Sequence, residues 1–201
     1  MRRFVSAGPA GLFPRGDGAV IALQGLPLEQ QLDLAYRTIL AVLLTFRPDR
    51  SAHHRAAHDR LSAISGIAVS PRRFRCTLYC QLYEDNIQGE EVATFLRSLL
   101  RQIPGHLVVL LDNGGIHRGE PVQELLGRTS RLHLEPFPPY APELNPDEGV
   151  WNHLKAHLAN GRPDTSAELM DVLAEEVCRL AASQSLLRGC IAQSDLPPFL
   201  P

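Results

Sequence analysis

The pattern of apolar and polar positions divides the chain into an irregular lead and a regular remainder. Residues 1–27 are rich in Gly and Pro and show no hydrophobic period, so they are expected to be poorly ordered. Over 28–46, apolar residues recur at 32, 34, 35, 39, 40, 42, 43 and 44, a spacing that predicts a helix. Its C-terminal end is apolar almost all round and needs a partner surface. Residues 61–70 and 75–84 are rich in β-branched, aromatic and Cys residues and are separated by Pro71-Arg72-Arg73, which predicts an antiparallel strand pair. Over 87–102, apolar residues at 92, 95, 96, 99, 100 and 103 predict an amphipathic helix ended by Pro104-Gly105. Residues 107–111 are wholly apolar, as in a strand buried on both faces. A helix over about 118–127, a strand over 131–135, a proline-rich loop over 136–142 and helices over about 145–160, 165–182 and 184–192 complete the chain. This order predicts an α/β fold with a mixed sheet flanked by helices, and no internal repeat is visible.

Composition narrows the class. The 201 residues, 44% hydrophobic and 21% charged, suit one globular domain, or one domain with an appendage. They exclude a disordered, collagenous or disulfide-scaffold protein. Lys+Arg 20 against Asp+Glu 22 gives a net charge of −2, so no global basic field points to nucleic acid. All the cationic residues but Lys155 are arginine, the better bidentate phosphate ligand. Residues 47–75 stand apart: seven arginines against Asp49 and Asp59 give a local charge of +5, either a solvated loop or a DNA-binding surface. Cys76, Cys80, Cys178 and Cys190 are too sparse for a disulfide framework and read as reduced thiols. A zinc module of His53, His54, His58, Cys76 and Cys80 fits no standard spacing. Gly8, Pro9, Gly11 and Pro14 break any apolar signal region after Arg2-Arg3, and the longest apolar run, 39–46, falls far below the roughly 20 residues of a membrane span. A cytoplasmic protein is expected.

Two carboxylates are candidates for chemistry. Asp112 ends the buried strand 107–111, where open α/β sheets place their ligands, although it also suits a turn that caps the next helix. Glu148 follows Asn145, a good N-cap, and Pro146, which fits the first helical position, so Glu148 occupies the capping-box position. Its alternative role is to share a divalent cation with Asp112, since paired carboxylates are the usual protein contribution to a phosphoryl-transfer site.

The runs Leu110-Leu-Asp-Asn-Gly-Gly-Ile-His-Arg118 and Phe137-Pro-Pro-Tyr-Ala-Pro-Glu-Leu-Asn-Pro-Asp-Glu-Gly-Val-Trp-Asn-His-Leu-Lys155 closely resemble DDE transposases, in particular the bacterial insertion-sequence branch of the mariner superfamily. The family patterns are D-N-x-x-x-H-R and P-P-Y-S-P-x-L-N-P-x-E-x-x-W-x-x-L-K, and Ala141 replaces the usual serine. The resemblance runs from about residue 55 to 196, includes Leu186-Leu-Arg-Gly, and the 35 residues between Asp112 and Glu148 suit the second and third acidic positions. It implies a ribonuclease-H-like fold and Mg2+- or Mn2+-dependent DNA phosphodiester cleavage and strand transfer, with Asp112 and Glu148 as metal ligands. Asn113 and His117 match motif positions around the site. Arg72, Arg73, Arg118 and Lys155 are candidate phosphate contacts. Transposon ends and target DNA are the implied partners, together with a second copy or a full-length transposase, and the nucleoid is the implied location.

The family's first carboxylate, on a strand with a D-E-x-G signature, has no counterpart in residues 1–60. Asp17, Asp33, Asp49 and Asp59 are the only aspartates there, and none ends a buried strand-like run. A helix-turn-helix arm is not recognisable either. The expectation is therefore an unmatched lead over 1–46, poorly ordered then helical, and a partial catalytic core over 47–201, whose first strand is missing or replaced. Such an N-terminally truncated chain has impaired turnover, or acts as a non-catalytic DNA-binding or regulatory fragment.

Overall fold

A computed structural model describes residues 3–6, 39–46, 61–70, 75–160 and 165–196, the first two segments as backbone. They form one six-stranded sheet from β1 (Arg3–Ser6), β2 (Ile39–Phe46), β3 (Ser62–Val69), β4 (Cys76–Tyr83), β5 (Leu107–Leu111) and β6 (Leu132–Pro136). The strand order is β1-β4-β3-β2-β5-β6. β2 pairs antiparallel with β3 and parallel with β5, and β5 and β6 are also parallel. The helices among the described residues are α1 (Gly89–Gln102), α2 (Glu120–Arg128), α3 (Asp147–Asn160), α4 (Ser166–Ala182) and α5 (Gln184–Ala192).

The mixed sheet follows the expected order from residue 61 onward, and the strand pair 61–70/75–84 is antiparallel as anticipated. Two expectations fail upstream. Residues 39–46, expected to end a helix over 28–46, form a strand in the middle of the sheet. The run Ile39-Leu-Ala-Val-Leu-Leu-Thr-Phe46 has almost no polar face, so its period cannot distinguish a buried helix from a strand covered on both sides. Residues 3–6, expected to be poorly ordered, pair as an edge strand with β4, with Phe4 opposite Gln81. The helical expectation over 28–38 lies outside the described residues, as do Arg72, Arg73 and the histidines at 53, 54 and 58.

Alternation along the strands sorts the core into two halves. Ile64, Ala68, Tyr79, Val109 and Leu111 face α1 and α2, where Val92, Phe95, Leu96, Leu99 and Val122 meet them. Ile67, Leu78, Cys80, Val108 and Leu110 face the other side, against Val150, Trp151 and Leu154 of α3, Leu173 and Val177 of α4, and Leu187 of α5. Helices on both faces explain why β3 and β4 are buried at every position but Thr77. All four cysteines are free, and Cys76 and Cys80 share the α3–α5 face as their spacing predicts.

Candidate active site

β5 ends at Leu111, and the next residue, Asp112, begins a tight loop. Its Oδ1 accepts the Gly114 backbone N–H at 2.8 Å and lies 2.8 Å from His117 Nε2. The Gly114 bond is the turn interaction that an Asp at this position also makes in a purely structural role. Burial opposes ionisation of Asp112, but the His117 ring and the Gly114 N–H outweigh it and hold the carboxyl below its usual value. His117 sits in a 3-10 turn, Gly115–Arg118, and is almost wholly buried, with no hydrogen-bond partner for Nδ1 among the described residues. Asn113 ties the loop to its surroundings: Nδ2 donates to the Phe137 carbonyl at 2.7 Å, and Oδ1 accepts from Arg118 Nη2 at 2.7 Å. Asp112, Asn113, His117 and Arg118 therefore form one cluster.

Of the two glycines in this loop, one is sterically required. A Cβ on Gly114 would stand 2.8 Å from Asp112 Oδ1 and 3.2 Å from His117 Cδ2, whereas one on Gly115 meets nothing within 4 Å.

Glu148 lies in the first turn of α3. Asn145 caps this helix, its Oδ1 accepting the Asp147 N–H at 3.1 Å. The capping-box alternative requires Glu148 to accept the Asn145 N–H, but that group donates to the Pro142 carbonyl at 2.9 Å. Among the described residues, the half-buried Glu148 carboxylate makes no hydrogen bond or ion pair. Val150, Trp151 and Leu154 of the same helix are core residues, which accounts for the Trp and Leu spacing of the motif by packing alone. Lys155 is exposed and lies seven residues beyond Glu148, on the same side of the helix and about 10 Å further along it.

Sequence reasoning missed Asp147. It is wholly buried and accepts a short hydrogen bond from the Ser65 hydroxyl of β3. Burial pushes its carboxyl up to about 7; the Ser65 and Trp151 side chains oppose the shift and the neighbouring Glu148 charge adds to it. The available signal was Ser65 itself, a polar residue in a strand buried on both faces, which needs a buried partner.

Strand register extends this geometry across the sheet. Ser65 lies opposite Cys80 of β4 and Leu44 of β2. β2 and β5 pair Leu43 with Leu111, so one step further sets Leu44 beside Asp112. No residue of β2 is acidic. Among the described residues, no three His, Cys, Asp or Glu side chains are grouped to hold a metal ion, and no helix is long and apolar enough to cross a membrane.

Residues 46–170 match the family model for DDE superfamily endonucleases. No curated protein matches the sequence. In structure, the chain is similar to the catalytic domain of Mos1 mariner transposase, with TM-score 0.50, 13% identity, and 84% of this chain and 88% of that one covered. It is also similar to the Mos1 transposase catalytic domain with raltegravir and Mn (TM-score 0.48, 13% identity, 81% and 86% covered) and to the catalytic core domain of BIV integrase (0.40, 19%, 68% and 81%). The first likeness bears out the fold expected from the sequence, a ribonuclease-H-like mixed sheet flanked by helices.

Proposed function

The chain belongs to the DDE superfamily endonucleases, and on that footing we propose that it is a transposase catalytic domain that binds DNA, holds a divalent cation weakly and turns over poorly. The observation carrying this reading is that β2, the strand beside Asp112, has no acidic residue.

The available donors suit Mg2+ or Mn2+ in kind. Glu148 has no partner among the described residues, and the known contacts of Asp112 fall on Oδ1, leaving Oδ2 for a ligand. Among the described residues they number two, one fewer than the three that the family resemblance implies. When bound, the cation activates water and neutralises charge on the phosphate. The chain's own contribution is positional. Gly114 and His117 fix the rotation of the Asp112 carboxylate, and the Asn145 cap fixes the start of the helix that presents Glu148. Asn113 holds Arg118, which with Lys155, Arg72 and Arg73 would contact phosphates and add affinity without reading sequence. The DNA partners in this reading are transposon ends and a target, with a second copy or a full-length transposase completing the assembly at the nucleoid.

The test pairs Mn2+ binding, followed by electron paramagnetic resonance, with nicking of supercoiled plasmid in Mg2+ or Mn2+. Weak Mn2+ binding lost in Asp112→Ala, with nicking at background, is the expected result. Robust nicking that depends on Asp112 contradicts the impairment. Salt-dependent DNA binding without cleavage, together with inhibition of a full-length transposase, identifies a regulatory role, which the acid-free β2 also favours.

A further inference from the structure

The loop between β6 and α3 holds a large aromatic side chain entirely in water: Tyr140 is 101% exposed. It is also the one non-glycine residue among the described residues in the left-handed backbone region, at φ 59°. That conformation costs free energy, and such residues persist where the surroundings impose them, often at ligand sites.

The surroundings here are specific. Pro138 and Pro139 precede Tyr140 and Pro142 follows it, each with a fixed φ. At the start of the loop, the Phe137 side chain is buried, its N–H donates to the Leu111 carbonyl at 2.8 Å, and its carbonyl accepts from Asn113 at 2.7 Å. At the far end, the Leu144 N–H donates to the Ala141 carbonyl at 3.2 Å, and the Asn145 N–H to the Pro142 carbonyl at 2.9 Å. The loop is thus anchored next to Asp112 at one end and on the cap of the Glu148 helix at the other. A tyrosine has few rotatable bonds, so fixing its backbone leaves a pre-organised aromatic face with little entropy to lose on contact.

We propose that Tyr140 is a stacking platform for a nucleobase unpaired from its duplex, next to the phosphate positioned by Asp112 and Glu148. The inference rests on the DNA reading above and adds to it the state of the DNA, which is locally single-stranded at this loop. Every base has a π face, so such a platform tolerates any sequence.

The experiment uses the full chain in metal-free buffer with chelator, a forked duplex carrying a fluorescent adenine analogue in its unpaired arm, and a blunt duplex of equal length. Tyr140→Ala is expected to weaken binding to the fork about tenfold, within the range measured for base–aromatic stacking, and to abolish quenching of the analogue. Binding to the blunt duplex stays unchanged. Tyr140→Phe and Tyr140→Trp keep the quenching, whereas Tyr140→Leu, apolar but without a π face, loses it. The side chain is fully exposed, so folding is not at stake, and equal melting temperatures check this. Unchanged fork binding by Tyr140→Ala, equal losses on fork and blunt DNA, retained quenching by Tyr140→Leu, or no fork binding by the unmodified chain each overturns the proposal. Mn2+ binding is measured separately: a failed platform with intact Asp112-dependent Mn2+ binding sinks this inference alone, and the reverse result sinks the metal reading alone.

Discussion

The Ser65 hydroxyl, midway along β3, donates to the wholly buried Asp147 carboxylate in the first turn of α3. The bond joins residues 82 apart in sequence and sets the rotation of α3 on the sheet. One residue later the helix has turned by about 100°, so Asp147 pointing inward sends Glu148 to a different side. The buried acid thereby orients the candidate ligand next to it. Ser65→Ala leaves the carboxylate without its hydroxyl donor and is expected to cost about 1–3 kcal/mol, read from urea denaturation. Asp147→Asn removes the charge at constant size, so the double variant Ser65→Ala/Asp147→Asn should lose less than the two single losses added together. Strict additivity would show that the two groups do not interact.

Gly114 tests the Asp112 loop without removing a polar group. An alanine Cβ would press on Asp112 Oδ1 and His117 Cδ2, so Gly114→Ala must displace the carboxylate or the ring. His117 is buried, so a fall in melting temperature reports displacement of the ring and an unchanged one displacement of the half-exposed carboxylate. Mn2+ affinity should fall by about tenfold, the size of effect seen when groups that orient a metal ligand are lost. Gly115→Ala, with nothing within 4 Å of its Cβ, serves as the control and should bind Mn2+ like the unmodified chain.

A second buried acid is shifted in the opposite direction to Asp147. Glu176 of α4 accepts from Arg179 Nη2 at 2.5 Å and Nε at 2.9 Å, while His153 Nε2 and His157 Nδ1 of α3 lie 3.1 and 3.6 Å away. The Arg179 hydrogen bonds, more than burial opposes them, hold the Glu176 carboxyl below its ordinary 4.5. A depressed folded-state pKa contributes stability that is complete above the unfolded value and is lost as pH falls through the folded one. The stability difference between the unmodified chain and Glu176→Gln, about 1–3 kcal/mol near neutral pH, should therefore close below about pH 4.5. Denaturant titrations across the acidic range check this; a difference that grows on acidification contradicts it.

Over the described residues from 61 to 196 the architecture was legible because the elements carry their own periods and turn signals. The Leu107–Leu111 run could only be a doubly covered strand once helical patterns flanked it, and Asp112 followed from its end. β2 was not legible: its apolar run has two solutions, and the neighbours β3 and β5, rather than its own residues, select the strand. β1 depends on β4, whose partner residues, Leu82 to Tyr79, lie more than 70 positions downstream, and four residues carry no period of their own. In the site, Glu148 was legible as a position, but the choice between cap and ligand required knowing that the Asn145 N–H goes to Pro142. Asp147 was hidden because adjacent acids in a first helical turn look alike until the helix docks.

The acid-free strand beside β5 yields the last prediction. Register sets Leu44 next to Asp112 on one side and opposite Ser65 on the other, and Ser65 bonds the acid adjoining Glu148. Position 44 is thus the register position of β2 adjacent to both Ser65 and Asp112, and the proposed function places a third carboxylate there. Leu44→Asp is expected to tighten Mn2+ binding by at least about tenfold, the lower end of what loss of even a supporting group costs a metal site. It should also raise metal-dependent plasmid nicking above the level of the unmodified chain. Leu44→Asn is the control, since it brings the same size and polarity without the charge and should gain neither. A carboxylate in a central strand costs stability without the cation, so the Leu44→Asp variant should gain melting temperature on adding Mn2+ where Leu44→Asn does not. If the Asp and Asn variants respond alike in binding, nicking and melting, position 44 is not a ligand position.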